Sequence, residues 1–500
     1  MNGRHGASLY KSGAPISRRR FLRGLGTAVA GLLAAGCRPI RPWMSTSMRV
    51  KEQEPAPVDS LQSTARATPP SPLGPPIGVA RGIYPGRVVW VHNPDAVRWD
   101  GSTGAWWQEG NIDQAVVSNM LSQALREQTG QSDDVAAWDA LFRYFNETHG
   151  RPGIGYQAGE KIAIKLNLNA CDSHTYRDNG SFTAPQWVYA LLQGLVTAAG
   201  VPGTDVTVYD ATRHIPDPIY ERCHVPALAG VHFVDWSGGQ GREAYRRDLS
   251  CQVHWSENVH GNPTYLPTCV TQARYMINLA SLKGHNLAGV TLCAKNHLGT
   301  ICSDLDGKPT QQAPQGANIH GTFAAHDFGW GDPDWTWSQR PIGTYNALVD
   351  LMGHQHLGNK TLLFVLDALY VAQNQGSSIS NDCRWQSAPF NGHWPASILV
   401  SQDGVAIDSV GLDFLSAEPT IRSLPDVLPP NSTCENYLHE AALADDPPSG
   451  TFYDPEGNGS GLASLGVHEH WNNATDKQYS ADEYIRRNLG TGEGIELVSC

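Results

Sequence analysis

The hydrophobic pattern of the chain changes repeatedly between short apolar runs and stretches in which apolar residues recur every three or four positions. The short runs predict strands, at 87–92, 161–169, 205–210, 231–236, 274–279, 361–372 and 397–400. The longer spacing predicts helices, at 112–129, 134–148, 184–199, 219–228, 343–358, 405–415 and 435–444. Strands that alternate with helices are typical of a parallel sheet. We therefore predict an α/β fold, a mostly parallel sheet with helices on both faces, followed by a loop-rich C-terminal extension.

The N-terminal residues differ from the rest of the chain and predict an exported protein. Residues 17–22, Ser-Arg-Arg-Arg-Phe-Leu, resemble a twin-arginine export signal. Residues 24–36 are too few and too weakly apolar to span a membrane. They end in Leu-Ala-Ala-Gly before Cys37, which resembles a lipoprotein cleavage box. Cys37 would then be the lipidated first residue of the mature protein; ordinary cleavage nearby, with Cys37 unmodified, is the alternative.

These features divide the chain into four parts and predict where the protein is found. A twin-arginine signal with a lipobox occupies 1–37, a Pro/Ser-rich tether 38–86, an α/β core 87–417 and the loop-rich extension 418–500. The signal predicts the twin-arginine translocase as a partner. We expect the protein to be lipid-anchored at the outer side of the cytoplasmic membrane or in the periplasm, with the lipid as its only membrane attachment.

Charge and cysteine spacing exclude several classes of function. The formal net charge of −12 becomes −18 when the six Lys and Arg residues of 1–36 are removed with the leader. Such an acidic protein is a poor partner for nucleic acid or anionic lipid head groups. Nine cysteines follow Cys37 and none form a Cys-x-x-Cys pair, so the sequence contains no iron–sulfur cluster motif and no zinc ribbon. The cofactor stays open, with a metal ion as one option.

Polar residues follow two of the predicted strands. Lys165 and Asn167 lie towards the end of the first of these strands, and Asp210 ends the second. In parallel sheets, ligands bind beyond the carboxyl ends of the strands. We therefore expect Lys165, Asn167 and Asp210 to bind a ligand. The alternative for Lys165 is a lysine that protects a strand edge from aggregation.

The densest group of candidate residues lies between 278 and 300. Lys283 and His285 follow an apolar strand, and Lys295, Asn296 and His297 follow a run at 287–293 that looks helical. Lysines favour an anion such as a phosphate or carboxylate, whereas neutral histidines hold metals. The alternative is that these residues cap the end of a helix.

From this group we predict specific roles. The candidate catalytic residues are Lys283, Lys295, His285 and His297, and the two histidines are also the candidate metal ligands. Asn296 joins the ligand-binding candidates. So does Asp408, which lies inside a predicted helix, where its carboxylate could face a ligand or a buried arginine.

Other motifs point less specifically to chemistry. His320, His326 with Asp327, His354 and His356 follow no standard metal-ligand spacing. The aromatic segment 329–337 resembles a loop over a pocket, and packing within the loop itself is the alternative. His468 and His470 flank a Glu, but not in the spacing of a zinc peptidase.

The segments that carry these residues resemble a known family. KIAIKLNLN, VTVYDAT and INLASLKGHNLAGVTLCAKNHLGT look like the family catalogued as domain of unknown function 362, over roughly residues 85–415. The resemblance implies a Lys-x-Asn motif ending at Asn167, a Lys-x-His motif ending at His285, then Lys295-Asn296 followed by Gly299, and a later segment with Asp408. Many relatives carry an iron–sulfur ferredoxin module, and this chain lacks the cysteines for one. The resemblance implies a fold and a site rather than a reaction.

Two classes of function fit the sequence. The first is an exported lipoprotein enzyme, assisted by a cofactor or metal, that acts on an anionic small molecule at the Lys/His cluster. Its reaction class stays open, with an association with an oxidoreductase among the options. The second is a non-catalytic periplasmic or cell-surface protein that binds a metal or an anionic ligand.

Overall fold

A computed structural model describes residues 75–257, 263–303, 319–329, 336–472, 474–480 and 494–500. The predicted export signal, Cys37 and most of the tether lie outside these residues, as does most of the aromatic segment 329–337. None of the helices in the described part is long and apolar enough to cross a membrane.

A nine-stranded sheet is the main element of the fold. The structure contains strands β1 (Ile77–Gly78), β2 (Arg87–His92), β3 (Ile162–Lys165), β4 (Val206–Tyr209), β5 (His232–Asp235), β6 (Glu243–Ala244), β7 (Arg247–Val253), β8 (Thr264–Pro267), β9 (Tyr275–Ser281), β10 (Lys283–His285), β11 (Gly289–Thr291), β12 (Cys302–Ser303), β13 (Phe328–Gly329), β14 (Thr336–Trp337), β15 (Thr361–Ala368), β16 (Ser397–Ser401), β17 (Val467–His468) and β18 (Glu496–Ser499). The sheet has the order β18-β2-β16-β15-β9-β3-β4-β5-β6. Its neighbours pair in parallel except β16, which is antiparallel to β15 and β2. The predicted, mostly parallel sheet is confirmed.

Helices cover both faces of this sheet. They are α1 (Gln114–Thr129), α2 (Asp134–Thr148), α3 (Pro185–Gln193), α4 (Asp217–Cys223), α5 (Thr268–Thr271), α6 (Cys293–Asn296), α7 (Ala347–Gly353), α8 (Gly404–Ala417), α9 (Pro419–Arg422) and α10 (Asn436–Ala442). Because side chains alternate along a strand, Val89 and Val91 of β2 pack in the apolar core with α1, α2 and α3. Val88 and Trp90 pack on the opposite face in the core with α7, α8 and α10. The α/β class is therefore confirmed.

Short-range chemistry fixes where these helices begin and end. Asp113 precedes α1, and its carboxylate accepts hydrogen bonds from the N–H groups of Ala115 (3.0 Å) and Val116 (3.1 Å). This is the N-cap that an otherwise unpaired first turn requires. Gly130 ends the helix with a φ of 68°, a left-handed conformation that glycine adopts without a steric penalty.

The helical run expected at 287–293 is wrong. This segment belongs to a β-hairpin in which β10 and β11 place Lys283 opposite Thr291 and His285 opposite Gly289. Gly289 has a φ of 77°, and a Cβ atom there would lie 2.6 Å from Cβ of Cys434. Only glycine fits this turn, and the helix starts later, at Cys293.

Residues after 417 contribute to the main sheet. Strand β18 pairs in parallel with β2, and the ion pair between Arg87 and Glu496 joins them at 2.7 Å. Strand β17 pairs with β1. The loop-rich extension is therefore tied to the first strands of the fold.

Eight cysteines in the described part of the chain are free thiols: Cys171, Cys223, Cys251, Cys269, Cys293, Cys383, Cys434 and Cys500. No disulfide holds this part of the chain together. Four of the eight are buried in the apolar cores, namely Cys171, Cys223, Cys293 and Cys383.

Candidate functional site

The order of the strands creates a crevice between β3 and β9. After β3 the chain continues to β4 on one side, whereas after β9 the sheet continues through β15 on the other side. Such a reversal leaves an opening at the carboxyl ends of the two strands, which is the usual ligand site in sheets of this type. Lys165 ends β3, and Lys283 follows β9 after one residue.

Lys165 is neutralised by a carboxylate. Its Nζ lies 2.9 Å from Oδ2 of Asp210, and both side chains are buried. Burial lowers the pKa of Lys165, and the charge of Asp210 opposes that shift. A Cβ atom on Gly299 would lie 2.4 Å from the same Nζ. The pair is therefore packed closely against the backbone of the 278–300 segment.

A chain of side-chain amides connects the lysines. Lys283 Nζ donates to Oδ1 of Asn167 at 2.9 Å. Asn167 Nδ2 then donates to Oδ1 of Asn296 at 3.2 Å, and Asn296 Nδ2 donates to Oδ1 of Asn278 at 2.8 Å. These bonds fix the orientation of each amide. The Lys-x-Asn and Lys-Asn motifs of the sequence are thus parts of one buried network.

Lys283 is buried without an ion-pair partner among the described residues. Besides Asn167, its Nζ reaches the carbonyl oxygen of Ser181 at 3.4 Å. Burial lowers its pKa to about 8, and the nearby acidic groups of Cys171 and Asp367 partly oppose this shift. A buried cation that is not paired with a carboxylate is costly, which suggests that a ligand supplies the negative charge.

Lys295 lies in α6 and is partly exposed to the crevice. No hydrogen-bond acceptor or carboxylate lies within bonding distance of its Nζ in the part of the chain that is described. The ring of Phe323 lies beside the side chain, 5.4 Å from Nζ to the ring centroid. Burial, reinforced by the positive charges of Lys283 and Arg213, lowers the pKa of Lys295 to about 7.

His285 presents a hydrogen-bond donor on one of its ring nitrogens. Its Nδ1 accepts hydrogen bonds from the N–H groups of Leu287 (3.1 Å) and Ala288 (3.2 Å). In a neutral imidazole the proton must then be on Nε2. Burial, followed by the charge of Lys295, lowers the pKa of His285 well below its usual range. The ring is therefore neutral at pH 7 and offers Nε2–H.

Arg213 adds a further cation to the site. It follows Asp210, whose Oδ1 accepts its backbone N–H at 3.1 Å. The guanidinium is oriented by two carbonyl oxygens, those of Asn169 (3.0 Å) and Thr212 (2.9 Å). The guanidinium also forms a long ion pair, in which Nε lies 3.8 Å from Oδ1 of the exposed Asp172 side chain.

Arg213, His285 and Lys295 line a cleft of about 630 Å³, a volume typical of small-molecule sites. Lys295, Arg213 and His285 lie at its inner end, where a small pocket continues to Lys165 and Asn167. The wider part of the cleft is lined by aromatic and polar side chains, including Tyr176, Trp337, His320, Gln375 and Ser377.

His297 does not join this cleft. It is fully buried, and its Nε2 accepts a hydrogen bond from Nδ2 of Asn278 at 3.1 Å. Its ring lines a separate cavity of about 340 Å³ with Met352 and Phe364. Burial lowers the pKa of His297 to about 3, so the ring is neutral. Its contribution to the cleft is indirect, through Asn278.

Asp408 also lies away from the cleft and has no arginine partner among the described residues. Its carboxylate accepts the backbone N–H groups of Cys293 (2.8 Å) and Ala294 (2.9 Å), and the hydroxyl of Tyr437 (3.1 Å). These are the unpaired N–H groups at the start of α6. Asp408 therefore holds the helix that carries Lys295.

The remaining histidines are distributed over several places. His320 lines the cleft, whereas Nδ1 of His326 contacts the carbonyl oxygen of Asp327 at 3.1 Å. His354 and His356 pack against each other, with 5.8 Å between ring centroids. Across the described ranges, no three or more His, Cys, Asp or Glu side chains are grouped so that they could hold a metal ion.

Two further residues take part in the site. Arg213 follows Asp210 and was visible as a basic residue after a strand. Asn278 had a signal too, because it is a polar residue in the otherwise apolar strand MINLAS. Its importance lies in joining Asn296 to His297, which depends on the packing of α6 on β9.

One family model matches the part of the chain that carries these residues. The family model described as Domain of unknown function (DUF362) matches residues 162–413. That range begins at β3 and includes Lys165, Asp210, Lys283, Lys295 and Asp408. No curated protein is similar enough to the chain to count as a match. The matched range covers half of the chain and contains the whole candidate site; the chain belongs to the DUF362 family.

Proposed function

We propose that this protein is an enzyme that acts on an anionic small molecule bound in the cleft between β3 and β9. The observation that supports the proposal is an excess of positive charge in the site. Lys165 is balanced by Asp210, but Lys283 and Lys295 have no carboxylate partner among the described residues.

The arrangement suits a phosphate or carboxylate group. Lys283, Lys295 and Arg213 supply positive charge, and Nε2–H of His285 supplies a neutral donor. Charge-assisted hydrogen bonds of this kind are stronger than neutral ones. A bound anion would also remove the repulsion that lowers the pKa of Lys295. The proposal thus explains why uncompensated cations are buried here.

Metal assistance stays a prediction from the sequence. His285 and His297 lie in different cavities, and His285 carries its proton on Nε2, since Nδ1 accepts two backbone N–H groups. Because metal-bound histidines usually donate from the other nitrogen to a carbonyl or carboxylate, the described geometry favours an anion over a metal at His285.

A titration with small anions tests the proposal. We expect phosphate or a small carboxylate to stabilise the full-length protein against heat, by about 2.7 kcal/mol at one hundred times Kd. Lys283→Met should weaken this binding at least tenfold, or about 1.4 kcal/mol. Lys161→Met is the matched control, since Lys161 lies at the other end of β3 and pairs with Asp205 at 2.7 Å.

The outcome separates the two classes of function. Stabilisation that is lost in Lys283→Met but kept in Lys161→Met supports the site. Identical stabilisation of both variants and the parent, or none, would refute it. Native mass spectrometry of the exported protein then distinguishes an enzyme from a binding protein. Turnover of the co-purified molecule indicates an enzyme, and its reversible, unchanged release indicates a binding protein.

We further propose that the protein is exported by the twin-arginine route and anchored through Cys37. The support is the Arg18-Arg19 pair and the small residues before Cys37. Replacing both arginines by lysine should leave the protein in the cytoplasm. Cys37→Ala should abolish incorporation of labelled fatty acid without blocking export. Fatty acid on the Cys37→Ala protein would contradict the anchor.

A further inference from the structure

We propose that Lys295 is the amine of the cleft that condenses with the carbonyl group of an anionic aldehyde or ketone, forming an imine and releasing water. This inference rests on the proposed function, because it assigns a reaction to the same site. It identifies the ligand class as oxo acids and related anionic carbonyl compounds.

The three lysines of the site differ in ways that separate their roles. Lys165 is ion-paired with Asp210 at 2.9 Å and fully buried. Lys283 is also fully buried, and its Nζ is held by Asn167. Lys295 alone among these three is partly open to the cleft and bonded to no described acceptor. Only Lys295 therefore combines access to a ligand with a free Nζ.

The surroundings of Lys295 increase the fraction of its amine that is uncharged at pH 7. Phe323 lies on one side of the side chain, and the charges of Lys283 and Arg213 act on Nζ. Burial with these two charges brings the pKa of Lys295 close to 7. A lysine is activated as a nucleophile in this way, by an apolar wall and neighbouring cations. An ordinary lysine is protonated at pH 7 and has no lone pair to offer.

The helix that carries Lys295 holds the amine in place. The backbone N–H groups of Cys293 and Ala294, at the start of α6, are bonded to the buried carboxylate of Asp408. Asn296, the next residue, is bonded to Asn278 and Asn167. Lys295 thus projects from a backbone that is fixed on both sides, which is how a reacting group is preorganised.

The condensation balances without any further reactant. The lone pair on Nζ of Lys295 adds to the carbonyl carbon, and the carbonyl oxygen becomes a hydroxyl group. The two hydrogens of the amine leave with that oxygen as water, and a C=N bond forms. Nε2–H of His285 provides a hydrogen bond for the oxygen in the same cleft. Hydrolysis of the imine restores Lys295.

The cations around Lys295 select the substrate. Lys283 and Arg213 attract the carboxylate or phosphate of the carbonyl compound, and the anion in turn offsets their repulsion. The cleft of about 630 Å³ accommodates a small oxo acid with room for a larger substituent. A neutral aldehyde lacks the group that these cations bind, so we expect the site to discriminate strongly against it.

Reductive trapping tests the inference. The full-length protein is incubated at pH 7 with glyoxylate, an anionic aldehyde, and cyanoborohydride, which converts an imine into a stable carboxymethyl-lysine. Peptide mass spectrometry then gives the rate at each lysine. We expect Lys295 to be modified at least tenfold faster than Lys161, whose side chain is half exposed but paired with Asp205. With acetaldehyde, which is neutral, most of this preference for Lys295 over Lys161 should be lost.

Two variants connect the result to the geometry. Lys295→Arg keeps the positive charge, so it should still bind phosphate but trap no glyoxylate at position 295. Lys283→Met removes one of the repelling charges, so the pH at which Lys295 reaches half its maximal rate should rise. A pH midpoint that stays unchanged in Lys283→Met overturns the assigned role of these charges.

The possible failures are distinct. If phosphate stabilises the parent protein but glyoxylate modifies Lys295 no faster than Lys161, the imine is refuted and the anion site stands. If the parent protein neither binds phosphate nor traps glyoxylate at Lys295, both proposals fail. Selective trapping at Lys295 that phosphate suppresses supports both.

Discussion

The properties of individual residues in the site depend on how closely their neighbours approach and on whether their charges are balanced, and not on residue type alone. Lys165, Lys283 and Lys295 lie in one site, yet their partners give them different properties. Gly299 is required for another reason, since its missing side chain leaves room for Lys165. A substitution in this site therefore acts by changing a contact distance or a charge.

Gly299→Ala should disrupt the pair between Lys165 and Asp210. The new Cβ would lie 2.4 Å from Nζ and 3.0 Å from Oδ2 of the pair, and overpacking costs about 1–3 kcal/mol. Urea unfolding measures this loss. Gly376→Ala in the wall of the cleft is the control, because the nearest atom to its Cβ would be 3.6 Å away. Equal stability of the two variants would contradict the account.

Lys283→Met should have opposite effects on stability and binding. The free protein should become equally stable or more stable, because a buried cation is replaced by an apolar chain of similar length. Anion binding should weaken at least tenfold. Urea unfolding with and without phosphate separates the two effects. A variant that is strongly destabilised but binds phosphate normally would show that Lys283 is a structural residue.

Among the elements, the short helix α6 decides which residues form the site. Residues two positions apart on a helix point in different directions, so Lys295 faces the cleft while His297 faces another cavity. The carboxylate of Asp408, on the long helix α8, satisfies the first N–H groups of α6. Helix α6 is thus positioned from a distant part of the chain.

Asp408→Ala should weaken both folding and anion binding. Loss of a buried acceptor leaves the N–H groups of Cys293 and Ala294 without partners, which costs about 1–3 kcal/mol, and Lys295 should shift with α6. Asp408→Asn keeps one acceptor oxygen and should be milder. Asp133→Ala removes a comparable cap, the bond to Ala136 N–H at 2.9 Å, and should reduce stability alone. Calorimetry with phosphate would refute the account if Asp408→Ala bound as well as the parent.

The sequence predicted elements better than the relative directions of their side chains. Lys165 and Lys283 were predictable because both follow apolar strands, and parallel strands end at the same edge. The placement of His297 and Lys295 in different cavities was not predictable, because it depends on where α6 begins. The run at 287–293 is apolar enough for a helix or a strand, but the turn at Gly289 makes it part of a β-hairpin. The contact of Asp408 with α6 spans 114 residues and leaves no local pattern.

At the scale of the whole molecule, buried carboxylates tie the C-terminal residues to the core. Asp413 of α8 accepts the backbone N–H of Trp471 at 2.9 Å and the hydroxyl of Tyr479 at 2.8 Å. Asp403 accepts the N–H of Arg81 at 2.9 Å and that of Val467 at 3.2 Å. The last strand, β18, then completes the sheet beside β2. The C-terminal residues therefore support the sheet rather than the cleft directly.

His470 should make the stability of this region depend on pH. Its ring is bonded to Asp413 (2.6 Å) and Glu435 (3.0 Å). Burial alone would lower the pKa of His470, but the two carboxylates outweigh it and raise the pKa to about 10. A pKa raised above the unfolded value of about 6.5 gives stability that is fully present below pH 6.5 and is lost as the pH rises towards 10.

The comparison of the parent with His470→Asn isolates this contribution. The difference in their free energies of unfolding should be a few kcal/mol at pH 6, since one pKa unit corresponds to about 1.4 kcal/mol, and should fall steadily up to pH 10. Titrating groups that do not contact His470 are shared by both proteins, so their effects cancel. A difference that is constant from pH 6 to pH 10 would show that His470 is not held protonated by the two carboxylates.

The most direct test of the central claim is to locate an anion in the structure. Crystals of the protein grown with selenate, whose selenium scatters anomalously, would show where an anion binds. The account predicts an anomalous peak at the inner end of the cleft, within hydrogen-bonding distance of Lys295 and Arg213, that disappears in Lys283→Met crystals. Selenate bound elsewhere on the protein, with this position empty, would contradict it.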